Sequence, residues 1–333
     1  MRISLLGERE LIKKIAAVVG GVNDREAVGI GDDAALTRIS AGYWLVTAKD
    51  MLVEGVHFLL PQTAPADLGY KSLAVNLSDL AAMGARPKNA FVALALHPET
   101  DSEFVLDFFR GMKELAMQFD VAISGGDLVQ SPGPLAVSVT VQGEVLREKA
   151  LLRSGGLPGD VLCTTGPWGA SAAGLLLLRE NYNCPEDVRE AALQAHFRPR
   201  PRVEEALWLA KSGAVRAAID LSDGPLKDIL EIMDASGCGA QFFARQIPVH
   251  PAAVDVARLA GLEPLELALN GGEDYELLCA VPERIFDGLA CEYAARFGTP
   301  LYPCGTLTEK KDLEMITGGG KREKISFTGY RHF

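Results

Sequence analysis

The chain has 333 residues, of which 48% are hydrophobic and 23% charged, and carries a net charge of −11. That length exceeds one ordinary core and suits two domains of about 150 residues each, and the balance excludes a disordered chain. The acidic excess disfavours nucleic acid as a partner, since duplex binders carry a basic footprint, yet nucleotides stay open where divalent cations bridge carboxylate and phosphate.

The N-terminal stretch MRISLLGERELIKKIAAVVG scatters charges among apolar residues. Without a continuous apolar centre it predicts an amphipathic helix over about 8–19 rather than a signal peptide. No apolar run approaches the roughly 20 residues a bilayer requires. Six cysteines occur without a C-x-x-C pair. These features predict a cytoplasmic protein with reduced thiols and no zinc site.

Strands are expected at 43–47, 90–96, 120–124 and 135–144, with helices between them at about 66–83 and 102–118. In the last of these strands Val137, Val139 and Val141 alternate with small or polar residues, the period of a half-buried strand. The turn formers of RSGGLPGD (153–160) follow a charged patch at Arg147–Lys149. They place a boundary near residue 150, giving domains over 1–149 and 150–333. Beyond it come a strand at 160–165, a small-residue helix over GASAAGLLLL, and helices near 186–195 and 202–212. A strand then enters DLSDG and a helix starts at Pro225. Strands at 240–244 and 275–281 and a helix at 283–296 complete the pattern. Helices and strands mix in both halves, which points to an α/β or α+β fold.

Six segments set acid among glycine and small residues: GIGDDAAL (29–36), KDMLVEGVHF (49–58), NLSDLAAMGA (76–85), SGGDL (124–128), DLSDG (220–224) and NGGEDYELL (270–278). Unpaired carboxylates are costly to bury, so their repetition suggests an offsetting cation. GIGDDAAL fits a loose dinucleotide fingerprint, but Asp32 and Asp33 would repel a pyrophosphate unless Mg²⁺ lay between them; otherwise it is a Gly-Asp turn. Asp50 is read as following a strand, as a turn cap or a metal ligand, with His57 close behind. Ser72, Asn76 and Asp79 share a helix face, beside an apolar stripe of Leu73, Leu77 and Leu80. SGGDL reads as a strand-end loop in which Gly125 and Gly126 admit close backbone approach and Asp127 holds a metal, or as a plain tight turn. In DLSDG, Asp220 ends a strand. Ser222 and Asp223 either cap the helix that begins at Pro225 or bind nucleotide and metal. Glu273 and Asp274 call for a cation, a donor or a cationic ring. No Walker A sequence, no protein-kinase motif and no G-x-S-x-G is present. A carboxylate-rich metal site suffices for phosphoryl transfer, which needs positioning and charge neutralisation above all.

These segments, in this order, resemble the thiamine-monophosphate kinases. The likeness runs from GIGDDAAL through VEGVHF, YKSLAVNLSDLAAMGA, GGD, RSGGLPGD, IDLSDG and GGEDYEL to the terminal GYRHF. It implies the two-domain fold of aminoimidazole-ribotide synthetase and a homodimer joined through N-terminal-domain strands. It also implies transfer of the ATP γ-phosphoryl group to thiamine monophosphate, giving thiamine diphosphate and ADP. Carried over residue by residue, it implies Mg²⁺ ligands at Asp33, Asp50, Asp79, Asp127, Asp220 and Asp223. ATP contacts fall at Gly126, Asp127, Arg153 and Ser222, and substrate contacts at His57, Glu273 and Phe327. Asp127, Arg153 and Asp220 are the expected catalytic set. One departure stands out: Ala48-Lys49 precede Asp50 where the family has small hydroxyl residues. Lys49 is expected to lower the metal count. A hydrogenase-maturation relative would end in cysteine and a selenophosphate relative would carry an N-terminal reactive cysteine; this chain has neither. A binding protein without activity is the alternative of a different class.

Overall fold

The computed structural model describes residues 26–28, 35–180 and 182–325. The helix expected over 8–19, Asp33 and Phe327 lie outside them. The N-terminal half contains β1 (Glu26–Val28), β2 (Ala35–Ser40), β3 (Tyr43–Val53), α1 (Pro65–Ala82), β4 (Arg86–Leu96), α2 (Ser102–Gln118), β5 (Ala122–Gln130) and β6 (Ala136–Leu146). Its strands form one sheet in the order β1-β2-β3-β6-β4-β5. β6 pairs antiparallel with β3 and with β4, whereas β4 and β5 run parallel with α2 as the crossover, as a parallel pair requires.

Helix α1 begins at Pro65, a residue suited to a first turn because its missing N–H has no partner there anyway. The expected apolar stripe of Leu73, Leu77 and Leu80 is fully buried. Two glycines bring α1 and α2 into backbone contact. A Cβ at Gly69 would stand 1.8 Å from the Phe108 carbonyl oxygen, and one at Gly111 would stand 1.8 Å from that of Ala66.

The C-terminal half runs β7 (Asp160–Thr164), α3 (Ala170–Arg179), α4 (Glu186–Phe197), α5 (Val203–Ser212), β8 (Ala217–Asp220), α6 (Pro225–Ser236), β9 (Gly239–Phe243), α7 (Pro251–Ala260), α8 (Pro264–Asn270), β10 (Leu277–Pro282), α9 (Glu283–Phe297), β11 (Tyr302–Thr308), β12 (Leu313–Ile316) and β13 (Arg322–Lys324). Its sheet has the order β13-β12-β9-β11-β7-β10-β8. Among the described residues the architecture is thus two mixed sheets with packed helices, an α+β arrangement. One core joins the halves: Leu77 and Leu80 of α1 belong to the same buried cluster as Ala218, Leu277 and Cys279 of the second sheet. Arg198 ties them again at the surface. Its Nε donates to Asp67 at 2.6 Å, its Nη1 donates to Glu114 at 2.9 Å, and its guanidinium stacks over the Tyr70 ring.

Two expectations change. Asp50 lies inside β3 rather than after a strand, because pairing with β6 continues through Lys49–Thr140 and Asp50–Val139. SGGDL is likewise strand and not loop. Gly126 stands opposite Val92 of β4, where an added Cβ would meet the Val92 carbonyl oxygen at 1.7 Å. The close approach that this glycine allows is to its neighbouring strand. Helices α7 and α8 and strands β11 to β13 were not anticipated.

Candidate active site

Helix α1 gathers the site. At one point along it, Asn76 is 1% exposed and accepts the Asp50 backbone N–H at 3.0 Å through Oδ1. Its amide nitrogen donates to the Ser72 carbonyl oxygen at 2.9 Å. The buried amide therefore fixes β3 against the helix at the residue that carries the carboxylate. Two residues later, the Ser78 hydroxyl donates to Asp220 Oδ2 at 2.6 Å and reaches the end of β8 in the other half. One turn before Asn76, Lys71 Nζ sits 3.0 Å from Glu273 Oε2. Asp79 stands on the same helix. A single element thereby positions groups that lie far apart in sequence.

Between the halves lies a cavity of about 970 Å³. Asp50, Asp79, Asp220 and Asp223 line it with Ser222, His57 and Glu273. Lys49, next to Asp50 in β3, also borders the cavity, its Nζ donating to its cross-strand partner Thr140 Oγ1 at 3.3 Å. A second wall is apolar, formed by Leu175 and Leu176 of α3 and Leu267 of α8. The cavity thus pairs a carboxylate-rich face with an apolar one, the lining expected for a ligand with a charged end and a flat organic end.

The loop that follows β8 does not cap α6 with a side chain. The capping position is Gly224, whose N–H donates to the buried Asp228 carboxylate at 3.0 Å. Ser222 and Asp223 remain on the cavity, and Asp223 pairs with Lys227. The acidic run at 273–276 finds its donors within the protein. Glu273 takes Lys71, and Asp274 accepts the Gly169 N–H at 2.7 Å at the start of α3. Glu276 is held by Arg202 through both oxygens and by the Thr165 hydroxyl. Backbone geometry pins this run. Glu273 and Tyr275 adopt positive φ of 64° and 51°, while their N–H groups donate to the Ser222 and Leu221 carbonyl oxygens.

The local field is negative. Burial pushes the Tyr275 phenol well above its ordinary value, and Glu273, Asp50, Asp220 and Asp79 add to it. Burial also pushes the Asp228 carboxyl well up, reinforced by Asp223 and Asp220. His196, beside Glu273, is pushed down to about 4 by burial and then by Lys71. Asp274 is pushed up to about 8 by burial, against the pull of the backbone N–H groups of α3.

The donor set fits Mg²⁺. The carboxylates of Asp50, Asp79, Asp220 and Asp223 supply hard oxygen ligands. Among the described residues no three His, Cys, Asp or Glu side chains lie close enough together to hold a metal ion by themselves. Mg²⁺ characteristically takes only one or two carboxylates and completes its shell with phosphate oxygens and water.

Three expected residues lie apart from this cavity wall. Gly126 and Asp127 stand on β5, at the exposed edge of the first sheet, where Asp127 Oδ1 accepts the Leu128 N–H at 2.9 Å. Arg153 pairs with Glu231 of α6 at 3.4 Å. Lys71, His196, Ser171 and the apolar wall were not singled out from sequence. Lys71 lay within the quoted segment YKSLAVNLSDLAAMGA, but a lysine on a helix reads as solvated until its neighbours are known.

Comparison with known proteins agrees with this geometry. Residues 31–145 match the family "AIR synthase related protein, N-terminal domain", and residues 158–318 match its C-terminal counterpart. The thiamine-monophosphate kinase of Salmonella typhimurium is 39% identical over 306 residues, 92% of this chain and 91% of that protein. That of Bacillus subtilis is 38% identical over 312 residues, 92% and 93% of the two chains. The solved structure of AaThiL complexed with AMPPCP and TMP superposes with a TM-score of 0.87 at 29% identity, covering 100% of this chain and 99% of that one. With both halves matched and the cavity between them lined by the motif carboxylates, the chain belongs to the thiamine-monophosphate kinase family.

Proposed function

We propose that this protein transfers the γ-phosphoryl group of ATP to the phosphate of thiamine monophosphate, releasing ADP and thiamine diphosphate, with Mg²⁺ as the metal. The observation that carries this reading is the meeting of four aspartates, Glu273 and an apolar wall in one cavity between the halves. Asp50, Asp79, Asp220 and Asp223 would hold Mg²⁺, with Asp33 and Asp127 as the further ligands that the family resemblance implies. Held by these residues, Mg²⁺ would supply charge neutralisation for the phosphates.

The chain's own residues do the rest. Asn76 fixes the Asp50 backbone through its N–H and Ser78 fixes the Asp220 carboxylate, so both residues are positioned before ligands arrive. Glu273 meets the positive ring of the substrate, and Leu175, Leu176 and Leu267 cover its apolar faces. His57, whose Nδ1 accepts the Val53 N–H at 3.0 Å, lines the same substrate end. Gly126, Arg153 and Ser222 contact ATP and Phe327 stacks on substrate, as the resemblance implies. No side chain needs to act as a base, because the accepting phosphate oxygen is already ionised near pH 7. Asp220→Asn keeps the shape of a residue that is 2% exposed but removes its charge. Turnover should fall at least about tenfold with the fold intact; a near-normal rate would refute the assignment.

The protein is further proposed to be a cytoplasmic homodimer with domains meeting near residue 150. Among the described residues no helix is long and apolar enough to cross a membrane. Among the described residues no strand pairs with the outer edge of β5, which exposes Leu128 and Val129, 61% and 48% accessible, and such an apolar strand edge invites a second copy. Sedimentation should give twice the 35.6 kDa chain mass. A monomer at micromolar concentration would refute the dimer.

A further inference from the structure

Glu273 does not stand alone on the cavity wall. Lys71 reaches it from α1 with a side chain only 3% exposed, and an ammonium so buried is costly unless it is paired. The partner is Glu273 Oε2, 3.0 Å from Nζ. His196, at the end of α4 with a side chain 7% exposed, brings Nδ1 within 3.4 Å of that same oxygen. The other contact of Nδ1 is the Ser171 hydroxyl at 3.1 Å. Lys71 thus holds Oε2 while the His196 ring packs against it, and among the described residues Oε1 takes no hydrogen bond. The Glu273 side chain is 28% exposed, on the cavity.

The backbone adds a second restraint. A φ of 64° is unusual for glutamate and persists only where the surroundings dictate it. Here the Glu273 N–H donates to the Ser222 carbonyl oxygen at 2.7 Å, which holds the turn against the β8 loop. Burial alone would push the Glu273 carboxyl up. The Lys71 ammonium reverses that and holds it below its ordinary value. The pair therefore behaves as a fixed dipole whose negative end faces the cavity.

We propose that Lys71 and His196 are positioning residues that lock the Glu273 carboxylate in one orientation, presenting Oε1 to a permanently cationic ring and setting selectivity for it over a neutral ring of the same shape. This rests on the reading of Glu273 as a substrate contact. A lock of this kind differs from general support of the fold, since it acts on one ligand and on one property of that ligand.

The test uses the full-length protein with Mg-ATP. It measures KM for thiamine monophosphate and for ATP, and inhibition by the analogue whose thiazolium ring is replaced by neutral thiophene. Lys71→Met should raise KM for thiamine monophosphate about tenfold while kcat and the ATP KM stay within about twofold. The thiophene analogue should bind about as before, so that the preference for the cation collapses, and Lys71→Arg should restore most of it. His196→Gln should act in the same direction by about threefold, and it supplies the readout if Lys71→Met does not fold. Equal weakening of both ligands, or a lower KM showing that Lys71 competes with the ring, would overturn the proposal. Glu273→Gln separates the two layers. If it leaves KM for thiamine monophosphate unchanged, the substrate role of Glu273 itself fails. If it raises KM while neither Lys71→Met nor His196→Gln does, only the positioning role fails.

Discussion

Asp50, Asp79, Asp220 and Asp223 reach one cavity although 173 positions separate the first from the last. Each was recognisable in sequence because it sits among glycine and apolar residues, where a carboxylate without a partner is expensive. What sequence left open was which of them the protein satisfies by itself. Asp274 and Glu276 turn out to be served by backbone N–H groups and by Arg202, so the acid that remains for ligands is a smaller set than the six motifs suggested. At Ala48-Lys49 the sequence is expected to depart from the family pattern. Lys49 is exposed next to Asp50 in β3 and borders the cavity, with its ammonium within hydrogen-bonding distance of Thr140. We propose that a positive charge there offsets carboxylate charge that a metal ion would otherwise neutralise. Lys49→Thr should therefore bind more Mg²⁺ per chain and change the Mg²⁺ dependence of turnover, as followed by metal titration and initial rates. Unchanged metal stoichiometry and unchanged turnover would show that Lys49 has no such role.

At the scale of elements, α1 does the most. Its apolar stripe of Leu73, Leu77 and Leu80 was legible from spacing alone, and so was the shared face of Ser72, Asn76 and Asp79. That Asn76 would accept the Asp50 N–H was not legible, because the partner strand is set by tertiary contact. Strand β3 shows the same limit. Its expected end at residue 47 follows from local pattern, whereas its observed end at Val53 follows from pairing with β6 across Lys49 and Asp50. β5 continues through two glycines for a related reason, since β4 lies too close for a side chain at Gly126. Asn76→Ala isolates the role of the helix. It leaves the Asp50 N–H without that buried acceptor and should cost about 2 kcal/mol of stability, read from the urea midpoint at constant slope. A loss below about 0.5 kcal/mol would mean that β3 is held by its sheet alone.

Across the described residues, two mixed sheets share a core through α1, and the cavity lies where the halves meet. The mixture of helices and strands made the fold class readable, and the order of the acidic segments made the family readable. The second half beyond residue 296 was not, since β11 and β12 owe their pairing to β7 and β9, and the short β13 pairs only through β12. The account as a whole claims that the acidic face holds the transferring phosphates and the apolar face holds a phosphorylated cationic ring, so both substrates are needed for turnover. The direct test is ADP formation by the purified protein with Mg-ATP, with and without thiamine monophosphate, and with thiamine as the control. ADP and thiamine diphosphate should appear one for one, and only with the monophosphate. ADP formed equally without it, or no ADP from folded protein at saturating Mg²⁺, would contradict the account.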